Sequence, residues 1–193
     1  MTAMKIGVLA LQGAFAEHVQ MLKSLGVEAV EIRQRRDFVP DMRGVILPGG
    51  ESTVMGMLLH KLGLFEPLRK ALVAGLPAFG TCAGLILMAK ESEDSPRRHL
   101  CVLDVTLRRH GFGRQINSFK TEGEFAGCGQ IPLVFIRGPY ITGVGAGVEV
   151  LASAKNRIVA VRQKNLLGTA FHPELTPDSR VHEYFLNMCS GAG

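Results

Sequence analysis

The sequence predicts an α/β fold: a doubly wound, mostly parallel sheet with helices on both faces. Three observations predict it. Residues 5–11 (KIGVLAL) form a short apolar run, as in a strand buried on both faces. Phe15, Val19, Leu22 and Leu25 then recur at helical spacing up to Gly26, a helix stop. Residues 27–32 (VEAVEI) return to strand character, and strand, helix, strand in close succession marks a parallel βαβ unit.

The remaining elements follow in order. A charged turn with Pro40 leads to a strand at 45–47. After Pro48-Gly49-Gly50 a helix begins near Ser52 or Thr53, with Met55, Leu58, Leu59 and Leu62 apolar, and Gly63 breaks it. A second helix covers 65–74, the next buried strand 76–79 and the next helix 83–89. Residues 91–99 (ESEDSPRRH) read as a polar loop. From 101 to about 151 the pattern shifts to short strands with many glycines. Gly143, Gly145 and Gly147 lack nucleotide-binding spacing and read as a flexible loop. Residues 157–162 and 166–171 pair as a hairpin around Lys164-Asn165. A terminal helix runs from 178 to 188, capped by Asp178 or Thr176. With no internal repeat and no linker, residues 1–193 are expected to form a single domain.

Composition removes several function classes. Hydrophobic residues are 47% and charged residues 20%, which supports a buried core and excludes a disordered chain. The net charge is +5, and basic residues pair up at Arg35-Arg36, Arg97-Arg98 and Arg108-Arg109, but with no run of five or six; there is no Trp, and two Tyr are too few to stack bases along a basic stripe. Residues 71–89 carry no charge and reach membrane-spanning length. Gly75, Pro77, Gly80, Thr81 and Gly84 interrupt them, and a proline costs a helix interior about 3 kcal/mol. That run reads as helix tail, turn, buried strand, sharp turn and new helix. Only Lys5 precedes the first apolar run, which argues against a signal peptide. Cys82, Cys101, Cys128 and Cys189 form no CxxC, so no zinc knuckle and no redox pair is expected, and the setting is a reducing cytoplasm. No metal or other cofactor is expected.

The most informative segment is Gly80-Thr81-Cys82-Ala83-Gly84, with the spacing of a nucleophile elbow and cysteine in the serine place. A tight strand-to-helix turn crowds its backbone, so the flanking residues must lack Cβ atoms. The turn presents Cys82 at the carboxyl edge of the sheet, where open α/β folds bind ligands. The start of the helix favours a thiolate and leaves the Ala83 N–H for an oxyanion. A buried cysteine in a glycine-rich turn is the plain alternative.

A thiol nucleophile needs a base, and the base an orienting group. His172-Pro173-Glu174 follows the last apolar strand, and in extended backbone residues i and i+2 point the same way. Taken alone the tripeptide suits a surface turn; with the cysteine elbow on a parallel sheet it suits a base and its carboxylate. His18, beside Glu17, reads as solvated, and His60 and His182 as helix-face residues of the same kind. His99 and His110 fall in polar loops, and the other cysteines read as packing or surface. Leu47-Pro48-Gly49-Gly50-Glu51-Ser52 is the other unusual strand-to-helix turn. It lacks the Lys of a phosphate loop, so it suits an oxyanion donor or a small polar ligand.

LPGGES, FGTCAGL and FHPEL, in this order, resemble the class I (triad) glutamine amidotransferases. IGVLALQGAFAEH, GFGRQINSF, VFIRGP and FHPELTPDSRVHEYF resemble, more finely, the glutaminase subunits of pyridoxal 5′-phosphate synthase, over nearly the whole chain. The resemblance implies a flavodoxin-like fold and hydrolysis of L-glutamine to glutamate and ammonia. Cys82 would form a glutamyl thioester, His172 would shuttle the proton and Glu174 would orient His172. Backbone N–H groups of Gly50 and Ala83 would hold the oxyanion. Gly50, Glu51, Ser52, Arg109, Ile136 and Arg137 would hold glutamine, the arginine fork suiting its α-carboxylate. The family's Arg-Asn before the FGRQ motif is replaced here by Arg109-His110-Gly111; counting back from FGRQ selects Arg109. The family's FIRAP is FIRGP, with Gly138 expected to loosen the turn. Ammonia would pass to a separate synthase subunit, PdxS, and Gln12 would link docking of that partner to the oxyanion hole. The rival readings are a glutaminase subunit of another amidotransferase, such as imidazole glycerol phosphate synthase, and a stand-alone cysteine hydrolase.

Overall fold

The computed structural model describes residues 4–110 and 118–191. The first half alternates strands and helices: β1 (Lys5–Leu9), α1 (Phe15–Ser24), β2 (Glu28–Ile32), β3 (Gly44–Leu47), α2 (Ser52–Lys61), α3 (Phe65–Val73), β4 (Ala78–Thr81) and α4 (Ala83–Met88). The second half is richer in strands: β5 (Ala89–Ser92), β6 (Leu103–Arg108), β7 (Ser118–Phe125), β8 (Gly129–Ile136), β9 (Tyr140–Val144), β10 (Glu149–Ala154), β11 (Arg157–Gln163) and β12 (Leu166–Thr169), closed by α5 (Arg180–Ser190).

The main sheet runs β2-β1-β3-β4-β12-β11-β9-β6-β5, with β10 paired to β11, and β7 and β8 form a separate antiparallel ribbon. From β2 to β12 every pairing is parallel. The β11–β12 hairpin turns at Lys164-Asn165, after which β11, β9 and β6 pair antiparallel. Every residue of β3, β4 and β12 is buried, as strands covered on both faces must be.

The alternation of β4 shows what covers each face. Phe79 packs toward α5, with its ring 5.6 Å from that of Phe185, and Thr81 shares that side with His18 of α1. Gly80, pointing the other way, lies under α4, where an added Cβ would sit 2.6 Å from the backbone of Gly84. The register places Thr169 beside Thr81 and Leu47 beside Gly80. Three adjacent strands therefore end together and deliver the LPGGES, GTCAG and FHPE turns to one edge.

Two local expectations differ. Ala89 opens an edge strand instead of closing a helix, and β5 takes the start of the expected 91–99 loop by pairing with β6. Its polar sequence carries no alternation to announce it. The terminal helix begins at Arg180, not at 178, because the Asp178 carboxylate accepts from the Arg180 N–H at 3.1 Å and binds its guanidinium. No helix among the described residues is long and apolar enough to cross a membrane.

Candidate active site

Cys82 is the hinge between β4 and α4, at φ 50° and ψ −101°, a conformation a non-glycine residue rarely holds. The surroundings enforce it. The Cys82 N–H donates to the Thr169 carbonyl at 2.8 Å, tying the turn to β12, and the Cys82 carbonyl accepts from Ile86 at 3.1 Å inside α4. A Cβ at Gly84 would run into the Leu47 carbonyl of β3, so both glycines of the motif are required by close approach. Cys82 is 7% exposed and its Sγ lies 4.0 Å from the Ile136 carbonyl.

His172 reaches the same place from the end of β12. Its Nδ1 is 2.7 Å from Glu174 Oε1, with both side chains buried. Its Nε2 is buried and makes no hydrogen bond to another group. With Nδ1 committed to Glu174, Nε2 is the nitrogen left to exchange a proton with Cys82. Gly49 lies against both side chains: a Cβ there would enter the His172 ring and come 3.5 Å from the Cβ of Cys82. Burial, the largest single influence, opposes charge on the His172 ring. Hydrogen bonds and charges from Cys82 and Glu174 together outweigh it and push the pKa up to about 10. The ring is therefore protonated at neutral pH. The His-Glu contact arises differently from the extended pair expected: Pro173–Leu175 form a single 3-10 turn, with proline at its start.

The LPGGES turn closes the third side. Glu51 caps α2 through its carboxylate, accepting from Thr53 N–H at 3.0 Å and Val54 N–H at 2.8 Å. Partial burial opposes the charge, but these two bonds and Arg109 hold its carboxyl below the ordinary range. Arg109 Nη2 donates to Ser52 Oγ at 3.0 Å and lies 3.5 Å from Glu51 Oε1. Gln12 braces the same turn, its side-chain oxygen accepting from Glu51 N–H at 2.7 Å. Glu51, Ser52 and Arg109 are thus brought together, while Ile136 comes to Cys82 through its carbonyl. Arg137 is exposed, at φ 45°. Gly138 sits where a Cβ would be 2.7 Å from the Ala170 carbonyl, so the turn is tight there, not loosened as expected. Gly111 and the FGRQ motif lie outside the described residues.

Two histidines expected to be solvated are fully buried. His18 and His182 are both 0% exposed, and their rings meet with Nδ1 of His18 2.9 Å from Nε2 of His182. A signal existed: His18 is four residues from Leu22 on the inner face of α1, and His182 shares the buried stripe of Val181, Phe185 and Cys189 on α5. Burial holds the His18 pKa well below its usual value and lowers His182 to about 4. Between pH 6.5 and 4 the unfolded chain therefore binds a proton at His182 that the folded chain refuses. Stability is expected to fall by about 3 kcal/mol across that window from this ring alone. Urea unfolding at stepped pH checks it, and His182→Gln is expected to flatten the slope. His60 is exposed and stacks on Phe65, His99 is half-buried and His110 is exposed. Cys189 is buried, which pushes its thiol up to about 12 and leaves it inert.

Comparisons with known proteins show the family and the fold. The family model described as the SNO glutamine amidotransferase family matches residues 8–191. "Pyridoxal 5'-phosphate synthase subunit PdxT" of Streptococcus pneumoniae (strain ATCC 700669 / Spain 23F-1) is 56% identical over 189 residues, covering 96% of this chain and 98% of that protein. A crystal structure described as a glutamine amidotransferase superposes with a TM-score of 0.91 at 45% identity, covering 96% of this chain and 98% of that one. PurLQS from Thermotoga maritima, at 17% identity and TM-score 0.73, covers 96% of this chain and 99% of that chain and shares the fold. With a family match across nearly its whole length, the chain belongs to the SNO glutamine amidotransferase family.

Proposed function

We propose that this single-domain chain, residues 1–193, is the glutaminase subunit of a pyridoxal 5′-phosphate synthase. It hydrolyses L-glutamine to L-glutamate and ammonia and hands the ammonia to the synthase subunit PdxS. The observation that carries this reading is the convergence of Cys82, His172 and Glu174 at the ends of adjacent parallel strands. The PdxT name of relatives at 56% identity supports the choice of synthase. All four cysteines are free, which suits a thiol enzyme in a reducing cytoplasm.

The steps follow from the residues. Cys82 sulfur attacks the side-chain amide carbon of glutamine, and the carbonyl oxygen becomes an oxyanion. The N–H of Ala83, first in α4, and the N–H of Gly50 receive it. The Gly49 carbonyl accepts from Ala14 N–H at 2.9 Å, so a planar trans peptide directs the Gly50 N–H away from α1. The imidazolium of His172 gives its proton to the departing nitrogen, which leaves as ammonia. The neutral ring then takes a proton from water, whose oxygen attacks the thioester and releases glutamate. Glu51, Ser52, Arg109, Ile136 and Arg137 hold the amino-acid end of glutamine.

Glutamate release measured with and without purified PdxS tests the reading; absence of activity with PdxS present refutes it. Gln12 couples docking to the oxyanion hole through its bond to the LPGGES turn. Gln12→Ala is expected to lower partner-stimulated turnover at least tenfold, short of the ~10²–10³ that follows loss of an oxyanion donor itself. Unchanged stimulated turnover removes Gln12 from the mechanism.

A further inference from the structure

The triad uses only one oxygen of Glu174. The other, Oε2, is buried and has no hydrogen bond, and the group facing it is Nε2 of His18, 3.6 Å away. His18 Nε2 also lies 3.2 Å from Thr81 Oγ1, and His18 Nδ1 is 2.9 Å from His182 Nε2. The far nitrogen of His182, Nδ1, is buried without a partner. Phe79 meets both imidazoles edge-to-face, and among the described residues the charged groups facing His18 are Glu174 and the His172 ring behind it.

Two neutral imidazoles in contact must divide donor and acceptor roles. In one arrangement His182 donates from Nε2 to His18 Nδ1. His18 then carries its hydrogen on Nε2, toward the carboxylate and the Thr81 hydroxyl, and His182 is left with an unused lone pair. In the other, His18 donates from Nδ1. Its Nε2 lone pair then faces a carboxylate oxygen, and His182 buries an N–H with no acceptor. The second arrangement combines repulsion with an orphaned buried donor, so the first is selected.

We infer that His18 is a positioning residue of the triad: its Nε2–H, oriented by His182, holds the second oxygen of Glu174 and so fixes the carboxylate that orients His172. At 3.6 Å this is an N–H dipole against a carboxylate; contacts of this kind shorten when substrate closes a site. The inference rests on the triad reading above.

The test uses the complex with PdxS. His18→Phe keeps a buried ring and removes the donor, and is expected to lower kcat about tenfold to a hundredfold with KM for glutamine unchanged. His18→Gln restores an N–H donor and is expected to recover most of the loss. Nitrogen-15 NMR of the wild-type imidazoles is expected to find both His18 and His182 as Nε2–H tautomers. Wild-type kcat in a folded His18→Phe variant overturns the inference, as do equal losses in the Phe and Gln variants or a proton on His182 Nδ1. A wild-type complex that releases no glutamate, or a Cys82→Ala variant that does, refutes the proposed function instead, and the tautomers still decide the role of His18.

Discussion

Replacing Cys82 with alanine is expected to reduce glutamate release by the complex on the order of 10⁴–10⁶-fold, to background. The reason lies in what remains around the site. Ser52 has its hydroxyl engaged by Arg109, and Thr81 points to the opposite face of β4, toward His18. Neither can take over as nucleophile, and water alone does not form the thioester that divides the hydrolysis into two easier steps. The fold is expected to survive. The elbow is held by backbone bonds to Thr169 and Ile86, and alanine keeps the Cβ that the turn already accommodates. Thermal unfolding and binding of PdxS should match the wild type, which separates lost chemistry from lost structure. Turnover retained by Cys82→Ala contradicts the nucleophile assignment.

The parts of this site that were legible in the sequence are those whose causes are local. Gly80 and Gly84 flank Cys82 because a strand and a helix meet within a few residues, and the paired glycines before Glu51 mark a second such turn. His172 and Glu174 stand two apart, so any backbone path keeps them near each other; the path taken is a helical turn instead of an extended run. The βαβ order followed from buried runs and helical spacing, and it brings the carboxyl ends of β3, β4 and β12 to one edge. What escaped depends on distant parts of the chain. His18 and His182 are 164 residues apart, and each looks soluble beside a glutamate until the opposing helix is in place. The edge strand β5 is polar on both faces and owes its form to a partner, β6, that arrives later. Charge, likewise, is a property of the assembled site: nothing in HPE alone lifts the imidazole to about 10.

His172→Ala is expected to approach the loss in Cys82→Ala, because one ring supplies every proton transfer in both halves of the reaction. Removing it leaves the thiol without a base and the ammonia without a donor. Glu174→Gln is expected to cost less, on the order of 10²–10⁴-fold, since it leaves the shuttle present but poorly held. The charge of Glu174 also helps keep His172 protonated against a burial that opposes it. Without that charge the ring should release its proton at lower pH, so the alkaline limb of the rate profile is expected to move down from about 10. Steady-state kinetics across pH, with PdxS present, reads both effects at once. The double variant should lose little more than His172→Ala alone, because an orienting group has nothing left to orient. Equal losses from the two single variants would mean that carboxylate and imidazole act as one coupled unit, and an unmoved alkaline limb would take Glu174 out of the charge balance of the ring.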